Sequence, residues 1–102
     1  TKHRVGAFPQ SVAVGDVNND KGLDIIVANG LSNDVSVLLG QGNGSFASQT
    51  RYPAGYLPQS VAVGDVNNDT RLDIIVANKW REEVSVLMQH NRGAMTDQTA
   101  YA

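Results

Sequence analysis

Residues 16–29 read DVNNDKGLDIIVAN, and residues 65–78 read DVNNDTRLDIIVAN. No other feature constrains the fold as strongly. The copying extends beyond these fourteen positions. Pro9-Gln10-Ser11-Val12-Ala13-Val14-Gly15-Asp16 returns as Pro58-Gln59-Ser60-Val61-Ala62-Val63-Gly64-Asp65, and the register holds without gaps through Val35/Val84 and Gly44/Gly93. The offset is 49 residues in a chain of 102. A period of roughly 20–50 residues marks architectures that stack one supersecondary unit on the next, and propeller blades lie at its upper end.

Within the unit the patterning is that of strands. Residues 11–15 alternate Val12 and Val14 with small partners, a period of two. Residues 23–28 and 35–39 are short β-branched apolar runs bounded by Asn, Asp and Gly, as in strands covered on both faces. The run Gly40-x-Gly42-x-Gly44 reads as a turn, and residues 46–52 as a fourth, more polar strand. A single small sheet or sandwich is the alternative, but a lone sheet shows one polar face, and here the second and third strands are apolar on both. The expected fold is therefore all-β: two four-stranded antiparallel propeller blades, residues 9–57 and 58–102, the second ending in an atypical strand. Residues 1–8 align with 50–57 and are expected to be a partial outer strand that completes a neighbouring blade.

Composition excludes several functions. The net charge is −2, so no basic surface for nucleic acid is expected. No apolar run approaches the roughly 18 residues of a membrane helix, so membrane insertion is not expected. The absence of cysteine removes disulfide and thiolate chemistry. His3 and His90 have no matching cluster, and no Ser-His-Asp set can be assembled from the spacing. A catalytic site is usually single, whereas the acid-rich motif here is copied with its unit. An enzyme, including a metal-assisted hydrolase, is the less favoured reading.

The acid-rich loop has a chemistry of its own. Asp16, Asn18, Asp20 and Asp24 present oxygens at positions 1, 3, 5 and 9, and Asp65, Asn67, Asp69 and Asp73 repeat the pattern. Alternate oxygens on a tight turn converge, and calcium takes about six to eight of them. A metal-free loop held by Asp and Asn side chains on backbone N–H groups meets the same pattern. Position 6, where such loops turn sharply, carries Lys21 and Thr70 rather than Gly. Either the turn is reshaped there or Asn19 and Asn68 take the left-handed conformation. Lys21 can also bring a positive charge to the site.

Val-Ala-Val-Gly-Asp-Val-Asn-Asn-Asp-x-x-Leu-Asp-Ile-Ile-Val-Ala-Asn resembles the FG-GAP/VCBS-type repeat of integrin α-like propellers, here in two tandem copies. The resemblance implies a blade with a calcium loop between its first and second strands, and adds a backbone carbonyl from Gly22 and from Arg71 to the ligand set. It also implies an extracellular recognition or adhesion module, with carbohydrate binding in some relatives.

Closed propellers have typically four to eight blades, so two blades leave apolar flanks bare. Self-association is expected, with a trimer favoured and a dimer or tetramer the alternatives. The acid loops are expected on one rim, and Tyr56 and Trp80 on the other, where exposed aromatics can meet a glycan or protein ligand. The alternative function is a purely self-assembling propeller fragment, natural or engineered, with no ligand.

Overall fold

The computed structural model describes residues 2–79 and 82–89, together with the backbone of 99–101. Two antiparallel four-stranded sheets follow one another along the chain. The first contains β1 (Pro9–Gly15), β2 (Asp24–Asn29), β3 (Asp34–Leu38) and β4 (Thr50–Pro53). The second contains β5 (Pro58–Gly64), β6 (Asp73–Asn78), β7 (Glu83–Leu87) and β8 (Thr99–Tyr101). Each is a simple meander of neighbouring strands, the order of a propeller blade.

The copies agree in register. Val12 faces Val27 and Val14 faces Ile25, as Val61 faces Val76 and Val63 faces Ile74. Both first strands carry an irregularity just after the proline, between Pro9 and Ser11 and between Pro58 and Ser60. Both are entered through a left-handed residue, Phe8 (φ 59°) or Leu57 (φ 51°), whose carbonyl accepts from Gly30 or Lys79.

Alternation decides how the blades stack. On β1, Ala13 and Gly15 face one way and Val12 and Val14 the other. The Ala13 face continues through Ile26, its partner on β2, to Val37 on β3. Against this face lies the opposite face of the second blade, with Val61, Val63, Ile74 and Val76. The result is one apolar cluster spanning both sheets, in which Ile26, Ala28, Val35, Ile74 and Val76 are fully buried. Ser11 Oγ accepts from Val61 N across the junction (3.4 Å).

One expectation needs correction. The fourth strand begins at Thr50 rather than at residue 46. Phe46 makes only an isolated bridge to Gly40, and Ala47 N donates to Leu39 O (2.9 Å), so the turn closes early. Residues 46–49 then leave the ladder, and Gln49 Oε1 accepts from Ser36 Oγ (2.6 Å). β8 pairs with β7 as the fourth strand of its own blade. Residues 2–5 form no strand pairing; His3 sets its ring against Phe46 at 5.5 Å, edge to face.

Candidate metal centre in the acid loops

The loops between β1 and β2 and between β5 and β6 lie at one end of their blades. The β2–β3 turn and the β4–β5 linker lie at the other: Ala54 N donates to Asn33 O, and Leu57 N to Asn33 Oδ1 (both 3.0 Å). The two rims expected from the sequence are therefore distinct. Tyr56 is exposed on the linker rim, whereas Trp80 lies outside the described residues.

Each acid holds its loop by accepting backbone N–H groups. In the first loop Asp16 accepts from Asp20 N (3.2 Å) and Lys21 N (2.7 Å), and Asp20 accepts from Gly22 N (2.9 Å). The second loop repeats this, with Asp65 accepting from Asp69 N (3.0 Å) and Thr70 N (2.8 Å), and Asp69 from Arg71 N (3.0 Å). The N–H groups of Gly22 and Arg71, whose carbonyls the resemblance adds to the ligand set, are thus held by the loop's own acids.

The last acid of each loop is a keystone. Asp24 is fully buried and clamps two segments, accepting from Val17 N (2.9 Å) and from Gly40 N (2.8 Å). Asp73 accepts from Val66 N (3.1 Å) and Gln89 N (3.0 Å). Gly40 and Gln89 are parts of the site that sequence reasoning missed. They serve through the main chain, so residue type gives no signal. A side chain at Gly40 would collide with the Leu23 carbonyl. In the second copy Gln89 is accommodated, and its Nε2 donates to Leu72 O (2.9 Å).

The left-handed positions explain how the turn works without glycine. Asn19 (φ 59°) and Asn68 (φ 62°) take that conformation, and so do Lys21 (φ 69°) and Thr70 (φ 68°). Of the two expected alternatives the left-handed asparagines occur, and Lys21 and Thr70 keep the left-handed conformation as well, against steric preference. Hydrogen bonds from Lys21 N and Thr70 N to the first acid fix the strained residue in place. Such a conformation costs an L-residue about 1–2 kcal/mol, more than the roughly 0.5–1 kcal/mol that glycine loses in entropy. Thr70→Gly should therefore raise the melting temperature by about 3–6 °C. An unchanged or lower midpoint in a circular dichroism melt would show that no strain is stored there. Among the described residues the ion pair is Arg51–Asp34 (2.9 Å), and none joins Lys21 to the acids.

The three carboxylates of each loop, Asp16, Asp20 and Asp24 or Asp65, Asp69 and Asp73, bring oxygens within 4.8 Å of one another. Asn67 completes the second set: its Nδ2 donates to Asp65 Oδ1 (3.1 Å) and to Asp69 Oδ1 (3.0 Å). With the amide oxygen there instead, three acceptors would repel unless a cation sat among them. The first loop has a like arrangement. Asn18 Nδ2 donates to Asp20 Oδ2 (3.2 Å), and Asn18 Oδ1 is buried without a partner. Both loops thus turn their amide N–H groups toward the acids, and an amide that turned over would offer a cation its oxygen. The donors are all hard oxygens and suit calcium.

Electrostatics differ between the copies. Burial pushes the Asp24 carboxyl above its ordinary 3.8; Asp20 and Asp16 add repulsion, and the N–H groups of Gly40 and Val17 oppose the rise. Partial desolvation also acts upward on Asp65, but the N–H groups of Asp69, Thr70 and Asn68 and the Asp69 side chain outweigh it and hold Asp65 below 3.8. The signs are opposite. Asp24 contributes stability fully below 3.8 and loses it as pH rises through its raised value. Asp65 contributes above 3.8 and loses it as pH falls through its lowered value.

Two stacked four-stranded meanders, each with an acid loop after its first strand, define a pair of β-propeller blades. The chain belongs to the FG-GAP-like repeat family, whose pattern matches residues 16–76. That family is a non-catalytic binding and scaffold fold. Neither the curated proteins nor the solved structures contain a match.

Proposed function

We propose that the chain is a non-enzymatic binding and scaffold module whose acid loops are stiffened by calcium, working outside the cell in recognition or adhesion. The observation that carries the calcium reading is the meeting of three carboxylates in each loop, Asp16, Asp20 and Asp24 or Asp65, Asp69 and Asp73, with oxygens within 4.8 Å of one another. Asp65, Asn67, Asp69 and Asp73, with Arg71, would hold one ion, and Asp16, Asn18, Asp20 and Asp24, with Gly22, the other, once the Asn67 and Asn18 amides turn over. The ion supplies charge neutralisation and loop rigidity. Affinities on the order of 10⁻⁴ to 10⁻³ M, the range of extracellular modules, suit a structural ion in calcium-rich surroundings.

The opposite rim, bearing Tyr56, is the surface offered to a glycan or protein ligand, with Trp80 the other candidate. A second reading, assembly without any ligand, is favoured by the apolar faces left bare at both ends of the blade pair. A glycan array probed with the chain separates the two: binding to a defined glycan supports recognition, and a blank array favours the scaffold.

The calcium test has two readouts. At 10 mM CaCl₂, about 10–100 times the expected Kd, each site should add roughly 1.4–2.7 kcal/mol relative to EDTA. The Asp24 carboxyl, followed by carbon NMR, should titrate above 3.8 in EDTA and move downward with calcium, because a bound cation favours the ionised form. A melting curve and an Asp24 titration that are both indifferent to calcium would leave the loops as metal-free turns.

A further inference from the structure

The two copies share a sequence but not an environment. Inside the chain, one face of the second blade is pressed into the other face of the first. Gly15 makes this fit close: a Cβ there would lie 2.9 Å from Val63 Cγ2 and 3.0 Å from Leu72 Cδ1. Val61, on the inserting face, is 7% exposed, and Val17, in the receiving blade, is 0% exposed.

The same two faces recur at the ends of the pair, and among the described residues their innermost strands are exposed, although residues 2–6 lie over Ser36 and Leu38 further out on the first blade. Val12, the counterpart of Val61, is 63% exposed, and Val14 and Leu23 are exposed with it. At the other end Val66, the counterpart of Val17, is 53% exposed. Ala77 is exposed although Ala28 is buried, and a Cβ on Gly64 would meet nothing within 4 Å. One end of the molecule is an inserting face without its receiver, and the other is a receiving face without its insert.

We infer that the bare face of Val12, Val14 and Leu23 docks on the Gly64 face of a second copy of this chain, head to tail. The internal junction is the template, since it already joins these surfaces in nearly identical sequence. Gly64 then takes the part of Gly15, receiving Val14 and Leu23 as Gly15 receives Val63 and Leu72. Ser60 takes the part of Ser11, its Oγ accepting from Val12 N. The contact is heterologous, and its repetition closes a ring where the rotation divides a full turn. This rests on the propeller-blade reading and names the partner that completes it.

The test is sedimentation of the full chain over a range of concentrations. The wild type should sediment as a small multiple of 10.9 kDa. Gly64→Val adds a side chain where this chain has open space, so its far-ultraviolet dichroism and melting as a monomer should match those of the unassembled wild type. Each junction should weaken roughly 10- to 100-fold from overpacking. Val14→Asp should break assembly from the opposite face. The decisive step is mixing the two variants. Gly64→Val keeps a sound inserting face and Val14→Asp a sound receiving face, so together they should form a heterodimer with a single junction.

A wild type that stays at 10.9 kDa at high concentration, or a Gly64→Val chain that assembles undiminished, would overturn the inference. Two variants that assemble separately but not together would overturn the head-to-tail geometry. A folded monomer that still responds to calcium would defeat the docking face alone and leave the proposed function standing.

Discussion

Asp24→Ala should lower the melting temperature in EDTA by roughly 10–20 °C, about 2–4 kcal/mol for a domain of this size. The side chain is fully buried, and its two oxygens hold Val17 N at 2.9 Å and Gly40 N at 2.8 Å. Alanine leaves both donors unpaired, and each buried, unsatisfied N–H costs about 1–3 kcal/mol. The loss is tempered because Asp24 is itself unfavourably desolvated, which is why its carboxyl is pushed upward. It remains a large share of the roughly 5–15 kcal/mol that stabilises a small domain. Asp24→Asn, which keeps one acceptor oxygen, should fall between. Asp73→Ala should behave as Asp24→Ala does, since Asp73 spans Val66 N and Gln89 N in the same way. Calorimetry showing an alanine variant within about 5 °C of wild type would remove Asp24 as the clamp between the acid loop and the β3–β4 turn.

The clamp shows what the sequence could and could not reveal. Asp24 was legible as a ligand candidate because acids at positions 1, 5 and 9 form a pattern. Its structural duty was not, because its partners are main-chain N–H groups and carry no side-chain signature. The inner strands were legible for a related reason: β2 and β3 are short β-branched runs without the polar face of a lone sheet's strands, and both are largely buried on both faces. The fourth strand was misplaced because its start is set by the Gly40–Phe46 bridge and the Ser36–Gln49 hydrogen bond. Neither leaves a periodic trace. At Lys21 and Thr70 steric preference argued for another conformation, and local hydrogen bonds to Asp16 and Asp65 prevailed.

The second large effect separates repeat positions by environment rather than by residue type. Ile26 and Ile75 are the same residue at the same repeat position, paired with Ala13 and with Ala62. Ile26 is wholly buried in the blade junction, and Ile75 is half-buried on the face that has no neighbour. Ile26→Ala removes packed methyl groups and leaves a cavity the sheets cannot close, so it should cost about 2–5 kcal/mol. Ile75→Ala should cost the dilute, monomeric chain roughly half as much, because its side chain surrenders less apolar area. Urea denaturation at low concentration reads this difference directly. Raising the concentration then makes the pair a gauge of association. If a second copy covers the Gly64 face, Ile75 becomes as buried as Ile26, and the cost of Ile75→Ala should climb toward that of Ile26→Ala. An Ile75→Ala penalty that stays flat from dilute to concentrated solution means that the face remains wet, and that the junction inside the chain is not repeated between chains.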